Sequence, residues 1–206
     1  MALVKLNNRG VRSASAFGSI TGLGSMVFIK KQTASSSSTI SFVDGTSDVV
    51  LDDTYKEYLF TFNNMHPETN SRYFGFKGSI NTGSAYGVAT TSTVARAYHN
   101  ESGSPSDLEY ESGLDLAQGT GLINLSTSVG NGNDECCSGY LHLFNPSSTT
   151  FVKHFTASVQ GYEGGDYSIV QYVAGYINTT SAVDAIQFSY SSGDTDAGDI
   201  CLYGIN

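Results

Sequence analysis

Tyr55–Asn63 alternates strictly, with Tyr58, Phe60 and Phe62 on one side of an extended chain and Leu59 and Thr61 on the other. A two-residue period lines one face of a pleated strand, whereas a helix would scatter the same rings around its axis. The pattern returns in Arg72–Ile80 with Phe74, Phe76 and Ile80, and in Gly139–Asn145 with Tyr140, His142 and Phe144. It returns again in Asp199–Ile205, where Ile200 and Leu202 oppose Cys201, Tyr203 and Ile205. Met26–Lys31, Thr39–Val43, Tyr86–Tyr98, Gly121–Val129, Thr150–Gln160, Tyr167–Ile177 and Val183–Tyr190 complete a set of about nine to eleven strands. Residues 99–120 are polar and acidic and read as an excursion. Glycine is frequent at 23 residues, and Asn145-Pro-Ser-Ser and Asn81-Thr-Gly-Ser mark turns.

With no sustained apolar period of 3.6, the strands must pack on one another. The expectation is all-β: a two-sheet antiparallel β-sandwich, jelly-roll-like, over residues 25–206. Residues 1–24 read as an extended N-terminal arm, because Gly18, Gly22 and Gly24 weaken any helix that Phe17, Ile20 and Leu23 would make.

Charge divides the chain at the same end. Residues 1–43 hold Lys5, Arg9, Arg12, Lys30 and Lys31 and no acid, a net +5. From Asp44 onward five bases face all nineteen acids, a net −14. An acidic body of this size does not suit the phosphate backbone, so no nucleic-acid partner is expected. The basic arm suits docking on an acidic protein surface, with Lys5, Arg9, Arg12 and Phe17 as its contacts.

The opening residues lack an apolar run of signal-peptide length, and no stretch is long and apolar enough to insert in a bilayer. The cysteines are Cys136, Cys137 and Cys201; an odd number with an adjacent pair makes a poor disulfide framework. Reduced thiols and synthesis in a cytoplasm are the expectation.

The chemistry-bearing residues do not assemble into a catalytic signature. His66, His99, His142 and His154 have no zinc-ligand spacing, although a hairpin at Asn145-Pro146 would make His142 and His154 cross-strand neighbours. There is no Gly-x-Ser-x-Gly elbow and no phosphate-binding glycine loop. No enzyme activity and no cofactor are expected. Asp194, Asp196 and Asp199 are the nearest thing to a calcium loop, but the twelve-residue pattern and its closing Glu are missing, so no metal is expected. Asn131-Gly-Asn133-Asp134-Glu135 is a second oxygen-rich loop of the same kind. Tyr162-Glu-Gly-Gly-Asp166-Tyr167 sets two aromatics and two acids around a glycine pair; Tyr162, Asp166 and Tyr167 are candidate contacts for a glycan.

Four longer stretches carry a family resemblance. They are Asp53–Pro67 (DTYKEYLFTFNNMHP), Gly139–Phe155 (GYLHLFNPSSTTFVKHF), Ala174–Phe188 (AGYINTTSAVDAIQF) and Ala197–Ile205 (AGDICLYGI). They resemble the small β-rich virion proteins of tailed marine phages, of fibre or decoration type, over most of residues 25–206. The likeness lies in strands and turns, so it transfers no active-site residue. It implies a non-catalytic virion structural protein: a capsid decoration, tail fibre or other surface appendage. It further implies contact with other virion proteins through the arm, and a homo-oligomer, a trimer among the candidates. The alternative reading is a module that binds a host-surface glycan or receptor; a glycoside hydrolase ranks below both.

Overall fold

The computed structural model describes residues 25–206, and its regular structure there is entirely strand. The strands are β1 (Met26–Thr33), β2 (Ile40–Val43), β3 (Glu57–Pro67), β4 (Phe74–Ser79), β5 (Thr90–Asn100) and β6 (Ser106–Tyr110), then β7 (Ile123–Asn124), β8 (Cys137–Phe144), β9 (Lys153–Glu163), β10 (Tyr167–Ile177), β11 (Ala185–Tyr190) and β12 (Thr195–Ile205). They form an eight-stranded sheet ordered β1-β12-β3-β8-β9-β10-β5-β6 and a four-stranded sheet ordered β2-β11-β4-β7, antiparallel throughout. The chain switches sheets at each step from β1 to β5 and again around β7 and around β11, a jelly-roll-like wrapping with an uneven division of strands.

The aromatic row of β3 faces inward as its alternation predicts: Tyr58, Phe60 and Phe62 are buried. Phe60 and Phe62 meet the rings of the small sheet. Phe188 of β11 lies 5.2 Å from Phe60 and from Phe62, and within 6.2 Å of Phe42 and Phe76, mostly edge to face. Phe74 stacks on the same ring at 6.0 Å. Such offset and T-shaped contacts join the two layers across the hydrophobic interior.

Beyond Phe62 the phase of β3 changes. Asn64 takes a left-handed backbone (φ 51°) and the pairing with β8 slips between Phe62 and Met65, so both of these residues point inward although three positions apart. β12 slips opposite, around Gly198 (φ 122°). Paired bulges of this kind bend and twist a long sheet.

Three expectations need correcting. The excursion at 99–120 contains a strand, β6, which pairs along β5 from Ala95↔Tyr110 to His99↔Ser106. Its apolar side chains face solvent, so hydrophobicity does not mark it as buried structure. Ile80 lies past the end of β4 and is exposed, so it does not extend the row of Phe74 and Phe76. Gly121–Val129 contributes only the two-residue β7.

Candidate functional site

Register places every second residue of β8, β9, β10, β5 and β6 on the outer face of the large sheet, away from the small one. Tyr110 pairs with Ala95, Ala95 with Tyr172, Tyr172 with Ser158, and Ser158 with Tyr140. Large and small side chains thus alternate across five strands in one row. Tyr110, Tyr172 and Tyr140 are 56%, 54% and 47% exposed. They stand two strands apart, about 9.6 Å, and wall an open groove of about 430 Å³ floored by Thr93, Ala95, Thr156 and Ser158. Tyr110 is held in place by donating its hydroxyl hydrogen to the Asp115 carboxylate.

Across these five strands the face carries no charged side chain. The outward positions of these five strands are Ser, Thr, Ala, Val, Leu, Gln, Tyr, Phe and His, and not one is Lys, Arg, Asp or Glu. In a body of net −14 this is a marked local absence. Leu108 on β6 adds a further exposed apolar side chain, and Met26 and Phe28 on β1 do so at the opposite edge of the sheet. Contiguous exposed apolar surface on a folded domain marks a contact site, and aromatic enrichment with charge depletion is the composition of an interface core.

The glycine loop expected to hold a glycan is the hairpin between β9 and β10. Asp166 closes it with a left-handed backbone (φ 63°) and an N–H bond to the Glu163 carbonyl, 3.0 Å. Its two aromatics do not converge. Tyr162 pairs with Ser168 and lies on the outer face; Tyr167 pairs with Glu163 and lies on the inner face. Tyr162 donates its hydroxyl hydrogen to Asp166 Oδ1 at 3.3 Å. Burial and the carboxylates of Glu101 and Asp166 push that hydroxyl up to about 12. Tyr162, Asp166 and Tyr167 therefore do not form one clamp.

On the Tyr167 side lies a different constellation. Along the inner face of β5, Thr90, Ser92 and Val94 are buried, but Arg96 and Tyr98 are only half-buried, because the hydrophobic interior stops there. The Tyr98 and Tyr167 rings meet edge to face at 5.9 Å. The Arg96 guanidinium lies over Tyr98, 5.5 Å from its centroid, and bonds Glu109 at 2.7 Å and Glu111 at 2.9 Å. With Pro105, Glu163 and Ile169 these residues line a cleft of about 280 Å³. The sequence reading holds Tyr167 and, as one of the two acids of the glycine loop, Glu163; Arg96 and Tyr98 it does not reach, since β5 meets β10 only through long-range pairing.

The remaining candidates separate. Asp199 stands on β12 and receives Lys31 Nζ at 2.8 Å and Thr33 Oγ1 at 2.5 Å, which holds its carboxyl below the usual range. Asp196 faces His66 Nδ1 at 3.8 Å, and Asp194 donates its backbone N–H to Glu68. Asp194, Asp196 and Asp199 thus have different partners, and among the described residues no three His, Cys, Asp or Glu side chains gather as metal ligands. The loop at Asn131 is tied within itself by Glu135, which accepts from the Gly132 N–H, and to the segment after β3 by Asn131 Nδ2, which donates to the Glu68 carbonyl. His142 pairs with Thr156, so His154 is its diagonal neighbour; His142 lies 3.0 Å from Glu57 and against Phe144, whereas His154 packs on Tyr176. All three cysteines are free. Cys137 points inward, where burial pushes its thiol up to about 12.

Lys5, Arg9, Arg12 and Phe17 lie outside the described residues. Among the described residues no helix is long and apolar enough to cross a membrane. Comparisons with protein-family models, with curated proteins and with solved structures return no match.

Proposed function

We propose that the protein is a non-catalytic structural component of a tailed-phage virion, a capsid decoration, tail fibre or other surface appendage. It is held to the particle by its N-terminal arm and assembles as a homo-oligomer through the outer face of the large sheet. The observation that carries this reading is the uncharged tyrosine row. Copies of a body with net −14 repel one another wherever their acids meet. They approach without that cost only through a surface free of charge, and five contiguous strands present one. Tyr110, Tyr172 and Tyr140 alternate with Ala95 and Ser158, so the knobs of one sheet face holes of matching spacing on another. The basic residues of the arm complement the acidic body, and the strand-and-turn segments named above supply the likeness to virion proteins.

Sedimentation of the full chain tests the assembly: a homo-oligomer is expected, with Tyr172→Glu dissociating it. A monomer at every accessible concentration would overturn the assembly face. Mass spectrometry of purified particles tests the location, with the protein expected at many copies per particle. Deletion of residues 1–24 is expected to abolish incorporation; particles that carry the shortened chain at full level would remove the role of the arm.

A further inference from the structure

We propose that the cleft between β5 and β10 binds one pyranose ring of a neutral glycan. This site is separate from the assembly face, since it lies on the opposite side of the same sheet. Register sets it out in rows: Arg96 beside Glu109, Tyr98 between Asp107 and Ile169, and Tyr167 beside Glu163. The two rings present an apolar corner in which the C–H face of a sugar packs, as sugars do on aromatic side chains. Glu163 at the rim accepts from hydroxyl groups. Arg96 gives its Nε and Nη2 to Glu109 and Glu111, and among the described residues its Nη1 has no partner, leaving N–H groups to donate to a ring or hydroxyl oxygen. A cleft of about 280 Å³ accommodates a single ring and its linkage, not an extended chain.

Charge selects the class of sugar. Arg96 is already matched by two carboxylates, and Glu163 adds a third beside the rings. The cleft is therefore net negative, and it disfavours sialic acids, uronic acids and sulfated sugars by like-charge repulsion. Neutral hexosides lack that penalty and supply the hydroxyls that Glu163 and Arg96 recognise. The arrangement is also pre-formed: Arg96 is fixed between Glu109, Glu111 and the Tyr98 ring, so little ordering is needed on binding.

The test is saturation-transfer NMR and calorimetry on the full chain with methyl glycosides of glucose, galactose and mannose, and with sialyllactose and glucuronic acid as anionic probes. At least one neutral glycoside is expected to bind and the anionic ones to fail. Tyr167→Ala, checked for folding by circular dichroism and thermal unfolding, is expected to weaken binding about tenfold. Glu163→Gln serves as a second variant that leaves the ring pair untouched and is expected to weaken binding as well. The proposal is overturned if no neutral glycoside binds, if an anionic sugar binds more tightly than every neutral one, or if both folded variants bind as the parent does. None of these outcomes bears on the oligomeric state or on incorporation into particles.

Discussion

Tyr190 of β11 donates its hydroxyl hydrogen to the backbone carbonyl of Met65 in β3 at 2.8 Å, a bond from the small sheet to the large one through buried space. The same hydroxyl lies 3.7 Å from Cys137 Sγ. It sits where the bulge of β3 turns Met65 inward, so it closes a polar gap that the bulge opens. Tyr190→Phe keeps the ring against Phe74 but leaves the carbonyl without this donor. A loss of about 1–3 kcal/mol is expected, read as a lower urea midpoint at unchanged slope.

Alkaline pH should unfold the protein before it damages it chemically. Burial raises the Tyr58 and Tyr190 hydroxyls well above their ordinary value of 10.0, and pushes the Cys137 thiol from 9.0 to about 12. The unfolded chain ionises these groups first. Their contribution to stability is therefore complete below about pH 9 and is lost as pH climbs through and beyond 10. Lys153, lowered by burial, works in the opposite sense, but it is one group against three. Tyrosinate absorbance should rise in two stages, the second coinciding with loss of near-ultraviolet circular dichroism; a single stage with the fold intact would contradict this.

Gly198 should tolerate no side chain. A Cβ there would stand 2.7 Å from the Asn64 carbonyl oxygen and 2.8 Å from Met65 Cα, at a positive φ as well. Gly198→Ala is expected to cost about 1–3 kcal/mol or more. Gly45→Ala is the control, because φ is positive there too but nothing lies within 4 Å. It should cost only about 1 kcal/mol for the backbone alone. Equal losses in thermal unfolding would show that strain, not the facing bulges, dominates.

Phe188→Ala should be among the most damaging single changes, since that ring touches Phe42, Phe60, Phe62, Phe74 and Phe76. About 3–5 kcal/mol is expected. Tyr140→Ala, on the outer face, should leave the stability of the protomer within about 0.5 kcal/mol.

The thiols should divide by position. Cys137 is fully buried with a raised pKa, so a maleimide should leave it unmodified in the native protein and label it only after unfolding. Cys136, its immediate neighbour, is partly exposed and should react slowly, its thiol also raised by burial. The intact mass should correspond to three reduced thiols.

The alternation of Tyr58, Phe60 and Phe62 determined a strand and its buried side, and Tyr167–Ile177 could be read at both ends. These are local properties: side-chain period and turn chemistry act over a few residues, and the amino-acid order carries them completely. Which face of a strand turns inward is not local. Tyr140, His142 and Phe144 alternate as clearly as the row in β3, yet they face outward, because Leu141 and Leu143 occupy the interior side of β8. The cleft is further still from local control. Tyr98 and Tyr167 belong to strands joined only by the pairing of β5 with β10, and no feature near either residue announces the other. Spacing along the chain decided that the protein is built from strands; the order in which those strands pair decided which aromatics close the interior and which remain available to a partner.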